Sequence, residues 1–165
     1  MVLGKARGRR ITLAIPISKH FLYKCPVDNL RAYYSFMPIA KYSLAALDCP
    51  DPVALAIFYS KITDFEVVVA HNDKNGNPHW VELKENGQTR IAFQRIEKYT
   101  PPTWPEGPIP QQAHLDFNVK DLNEAEAKLI AIGAVKSEIQ PSSNPEENFR
   151  VYFDPAGHPF CLVSA

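Results

Sequence analysis

Seven side chains have types and spacings that could do chemistry together: Glu82, Gln94, Trp104, His114, Asp116, Tyr152 and Cys161. A carboxylate, an imidazole and a phenol exchange protons with a substrate if they converge on one place. An imidazole, a thiol and a carboxylate are also donors to a divalent ion, which wants three or four of them at about 2.0–2.2 Å. Against both readings stands a plainer one, in which each is a polar strand residue lining a pocket or facing water. The elements that carry these residues decide between them.

His114 opens the stretch HLDFNVKDLNEAEAKLIAIG (114–133), in which a strand-like alternation runs into a helical pattern. A second copy lies 70 residues upstream, LAALDCPDPVALAIFYSKIT (44–63), with no gap needed. Both strands end at an aspartate, Asp51 or Asp121, suited to cap the following helix. Pro52 then stands at the first helical position, where its missing N–H costs little. Pro52, Leu55, Tyr59 and Ile62 in one copy answer Leu122, Ala125, Leu129 and Ile132 in the other, each set on one helix face. DFEVVVA (64–70) and AVKSEIQ (134–140) follow as strands, then two turn-rich segments, then HWVELK (79–84) and FRVYFD (149–154). Gly87 falls opposite Gly157, and last strands follow near 89–95 and 159–163.

The expected fold is therefore α+β: two tandem βαβββ modules forming a curved mixed sheet with helices on the outside. Module one covers 41–95, a proline-rich linker 96–110, and module two 111–165. Residues 1–40 stand apart as a basic extension.

Alternation assigns the faces. Leu115, Phe117 and Val119 pack on their helix, so His114, Asp116 and Asn118 face the cup. Trp80 and Glu82 alternate with Val81 and Leu83. Arg150, Tyr152 and Asp154 alternate with Phe149, Val151 and Phe153. The module-one counterpart of Cys161 is Ile91 by the constant offset. Burial of Ile91 and Phe93 would instead turn Ala92 and Gln94 to the cup. Trp104, set among prolines in the linker, is placed to cap a pocket. Asp154 belongs to the turn DPAG, and His158 reads as a surface residue of that turn.

The segments LDCPDPVALAIFY, HLDFNVKDLNEAEAKLIAIGA and FRVYFDPAGHPFCLV, with the DPAGHPF turn foremost, resemble the vicinal oxygen chelate superfamily, the glyoxalase/bleomycin-resistance/dioxygenase proteins. The resemblance covers about residues 43–163. It implies paired modules around a pocket that in many members holds a divalent metal. His114 stands where such members often supply a metal histidine. Its repeat partner is Leu44, and Cys161 takes the place of a frequent glutamate. The expectation is a protein that binds a small, partly apolar molecule without a conventional metal site and with no other cofactor. A homodimer is expected as well. The alternative is a metal-dependent lyase, isomerase or dioxygenase of the same superfamily.

The whole chain has a formal net charge of zero, yet residues 1–41 carry +7 and the remainder −7. The basic arm GKARGRR is short and without interleaved aromatics, so no nucleic-acid partner is expected. No apolar run approaches the ~18 residues that span a bilayer. The N-terminus also makes a poor signal peptide. Cys25, Cys49 and Cys161 lack zinc or disulfide spacing, which fits reduced thiols in the cytoplasm. There is no P-loop, GxGxxG or GxSxG.

Overall fold

Each half of the chain folds as strand, helix and three strands, and a computed structural model describes this for residues 39–140 and 148–164. Nearly all of the basic extension and most of the second turn-rich segment, residues 141–148, lie outside the described residues. Module one comprises β1 (Ala45–Cys49), α1 (Pro52–Thr63), β2 (Glu66–Asn72), β3 (Pro78–Glu85) and β4 (Gln88–Arg95). Module two comprises β5 (Leu115–Val119), α2 (Leu122–Ala131), β6 (Val135–Lys136), β7 (Phe149–Phe153) and β8 (Pro159–Ser164). The helices begin where the aspartates allow. Asp51 accepts from the Val53 and Ala54 amides, and Asp121 from the Asn123 and Glu124 amides. β6 is two residues long, shorter than the alternation in AVKSEIQ suggests.

The strands make two four-stranded sheets, ordered β1-β4-β3-β2 and β5-β8-β7-β6, with the first pair in each parallel. Cross-strand partners share a face. In the first sheet Leu83 and Ile91 pair, as do Val81 and Phe93, and all four are buried. In the second, Leu115–Phe160–Tyr152 and Phe117–Leu162–Arg150 lie on the helix-facing side.

Residues Tyr42–Ala165 form one unit, and α1 is its centre. The Tyr59 ring stacks on Phe93 of the first sheet at 5.6 Å and meets Phe117 and Phe160 of the second at 5.8 and 5.9 Å. Phe58 adds an edge contact to Phe160. The tandem modules thus bury one common core against α1. They do so as two four-stranded mixed sheets that both pack on this helix, in keeping with the tandem βαβββ modules and the α+β class expected from the sequence.

The register also revises the repeat. Ala45 pairs with Ile91 and Leu115 with Phe160; Glu82 pairs with Ala92 and Val151 with Cys161. The offset is 70 for the first strand but 69 for the last two. The expected gapless alignment therefore slips by one residue before β7. Because side chains alternate with period two, that slip exchanges the faces of β7. Arg150 and Tyr152, expected in the cup, point to α2, and Phe149 and Val151 take the cup face. Both polar side chains meet Glu126, from Arg150 Nη1 at 3.0 Å and Tyr152 Oη at 2.7 Å.

Candidate functional site

The cup face of the second sheet holds a cavity of about 260 Å³, lined by Trp104, Gln111, His114, Phe149, Val151, Pro159, Phe160 and Cys161. A second lobe beside it adds Asp116 and Val163 to the shared His114, Phe149 and Cys161. The strand register explains the grouping. Asp116, Cys161 and Val151 form one row across β5, β8 and β7, and Asn118, Val163 and Phe149 the next. His114 precedes β5 by one residue and shares the Asp116 face. Trp104 reaches the site from the linker, its ring 6.4 Å from that of Phe153.

His114, Asp116 and Cys161 each offer one ligand atom, and these atoms lie within 4.8 Å of one another. His114 Nε2 is 3.5 Å from Asp116 Oδ1. His114 and Asp116 are exposed, whereas Cys161 is buried. Burial pushes the Cys161 thiol up to about 12, and the neighbouring Asp116 carboxylate pushes in the same direction. The thiol keeps its proton at neutral pH.

Those three residues could hold a metal ion, because tetrahedral coordination separates ligand atoms by about 3.3–3.8 Å and the cluster is close to that span. A sulfur, a nitrogen and one oxygen suit a borderline ion such as zinc better than a hard, oxygen-seeking ion such as Mn²⁺. Module one has no matching donors, since its equivalents of His114, Asp116 and Cys161 are Leu44, Ala46 and Ala92.

The other residues singled out in the sequence lie elsewhere. Glu82 and Gln94 sit on the cup face of the first sheet, with Ala92 and Trp80 as their respective partners on the neighbouring strand. No side chain of that sheet lines either lobe. Glu82 is fully engaged, accepting from Trp80 Nε1 at 3.1 Å and Thr89 Oγ1 at 2.8 Å and pairing with Lys84 at 3.3 Å. The Thr89 hydrogen bond leads in holding its carboxyl below the usual range. Tyr152 is buried on the opposite face of its sheet. The acid–base group Glu82, His114, Asp116 and Tyr152 is therefore divided among three places. Four of the seven, His114, Asp116, Cys161 and Trp104, come together.

Alternation missed Phe149, Val151 and Gln111. A one-residue gap in the repeat would have found the first two.

The model of the glyoxalase-like domain matches residues 45–163. The chain belongs to the glyoxalase-like domain family. Solved structures agree on the fold. The fosfomycin resistance protein FosX of Listeria monocytogenes is 16% identical, with 78% of this chain and 95% of that one covered and a TM-score of 0.55. A glyoxalase/bleomycin resistance/dioxygenase family enzyme of Burkholderia phytofirmans is 18% identical over 76% and 98% of the two chains, also at 0.55. A FosX mutant complexed with Mn(II) and 1S,2S-dihydroxypropylphosphonic acid is 18% identical over 78% and 94%, at 0.55. No curated protein matches. At these identities the likeness carries the architecture, and function rests on the residues of this chain.

Proposed function

We propose that this glyoxalase-like protein binds a small, partly apolar molecule on the cup face of its second sheet, without a stoichiometric metal. One observation carries the reading: Trp104, Phe149, Val151 and Pro159 form an apolar wall that ends at the His114–Asp116–Cys161 cluster. Ligand sites are mostly apolar, with a few convergent polar groups that fix orientation. Here an imidazole and a carboxylate offer a donor and acceptors to one polar group of the ligand.

A metal is disfavoured by the donor set. It contains one imidazole, one exposed carboxylate and one thiol, and module one adds no further donor. A homodimer belongs to the same reading, because the cup face of the first sheet contributes nothing to this cavity within one chain. No helix among the described residues is long and apolar enough to cross a membrane. The thiols of Cys49 and Cys161 are free, which accords with a cytoplasmic location.

The convergence of three donor atoms within 4.8 Å favours a second reading, a metal-dependent lyase, isomerase or dioxygenase. In that case His114, Asp116 and Cys161 would hold the ion, which would supply Lewis-acid chemistry. Ligand-observed NMR with a fragment library separates the two. The binding reading expects hits that are lost in Trp104→Ala and His114→Ala and are indifferent to EDTA. Hits that vanish on chelation would move the protein to the second reading.

A further inference from the structure

We infer that the turn between β7 and β8 sets the linker so that Trp104 becomes a wall of the cavity, with His158 acting through Tyr99 as the positioning residue. This rests on the reading that the cavity is the ligand site. His158 is not the surface residue that its turn sequence suggests. Its side chain is 15% exposed, and it joins a chain of hydrogen bonds that runs into the core. Asp154, whose side chain is wholly buried, accepts at Oδ1 from the Ala156 and His158 amides. At Oδ2 it meets Tyr59 Oη at 2.9 Å and His158 Nδ1 at 2.8 Å.

A carboxylate only accepts, so Nδ1 of a neutral His158 carries the hydrogen and Nε2 keeps its lone pair. That lone pair receives the Tyr99 hydroxyl at 3.0 Å. The order Tyr99–His158–Asp154–Tyr59 thus ties the linker to the turn of module two and the helix of module one.

Two further contacts, independent of this chain, hold the same segment. Gly157 has φ +89, and a Cβ there would lie 2.8 Å from Pro101 Cβ, so the turn and the linker touch where only glycine fits. Thr103 then closes the loop that carries Trp104, donating its amide to the Ile109 carbonyl at 2.7 Å and accepting the Ile109 amide at 3.0 Å. Tyr99, Pro101 and Thr103 are successive anchors, and Trp104 comes next.

The test labels both tryptophans with 5-fluorotryptophan and identifies Trp104 by the resonance that W104F removes. Y99F deletes one hydroxyl and keeps the ring; H158N keeps a polar side chain too short to reach Tyr99. Both should shift the Trp104 resonance towards its solvent-exposed position and leave Trp80 unmoved. Affinity for the probe 8-anilinonaphthalene-1-sulfonate should fall about fivefold, the equivalent of about 1 kcal/mol for an indole that must be ordered anew. A Trp104 resonance unchanged in both variants, even with a lowered melting temperature, makes the chain a structural tie alone and overturns the inference. A shifted resonance with unaltered probe affinity upholds the positioning and rejects the cavity as the ligand site.

Discussion

Tyr59→Phe removes one atom from the centre of the molecule and tests how the two modules are joined. Tyr59 is fully buried, and its hydroxyl donates at 2.9 Å to Asp154, which is itself 4% exposed. The acceptor has three other donors: the Ala156 and His158 amides on Oδ1 and His158 Nδ1 on Oδ2. The variant therefore costs one of four hydrogen bonds to a buried carboxylate, with no full loss of solvation. A hydrogen bond to a charged group contributes about 1.5–3 kcal/mol. The ring keeps its stack on Phe93, so little packing is lost, and about 2 kcal/mol is expected. For a domain of this size that corresponds to roughly 6–10 °C in melting temperature. Urea unfolding followed by circular dichroism would measure it, with an unchanged m-value showing that the same surface unfolds. Asp154→Asn in the same background supplies the double-mutant cycle. A loss below about 0.5 kcal/mol, or no coupling between the two sites, would refute the argument that this hydrogen bond ties α1 to the turn of module two.

Three further outcomes follow from named contacts. Asp121→Ala should cost about 1 kcal/mol by freeing the Asn123 and Glu124 amides, and probe binding at the cup should stay as it was. Gly157→Ala should destabilise by about 1–3 kcal/mol, combining positive φ with a clash against Pro101; a neutral effect in thermal melts would contradict that close approach. Burial alone would raise the Glu126 carboxyl, but hydrogen bonds from Tyr152, Lys136 and Arg150 outweigh it and bring the value to about 2. The contribution of Glu126 to stability is accordingly complete above pH 4.5 and lost as pH falls through 2. Melting temperatures between pH 5 and 2 should fall less steeply for Glu126→Gln than for the wild type.

Local chemistry made much of the fold legible. Asp51 and Asp121 announce their helices because a carboxylate before an apolar stripe has one obvious use, and the stripes through Leu55, Tyr59 and Leu129 are buried where period 3.6 puts them. His114 and Asp116 could be placed on one face because β5 alternates cleanly, whereas Cys161 entered through the family resemblance, at the place of a frequent glutamate. Tyr152 could not. Its face depends on a register fixed by pairing with β8, and a single-residue slip inside a turn-rich segment leaves no apolar signature. The role of His158 was hidden for a different reason. DPAGH is a sufficient turn signal on its own, and nothing local reveals that Tyr59, 95 residues from Asp154, and Tyr99, 59 residues from His158, converge on it. The central position of α1 was equally non-local, since it depends on Phe117 and Phe160 arriving from the second module.

The claim most in need of a direct measurement is that the cup binds a small molecule with no resident metal. Native mass spectrometry of wild-type protein and His114→Ala, purified without chelators, records both in one spectrum. The account predicts apoprotein mass for each, with any co-purified small organic adduct weakened by the substitution and untouched by EDTA. About one divalent ion per chain in the wild type, absent from His114→Ala, would contradict it and make the His114–Asp116–Cys161 cluster a metal centre.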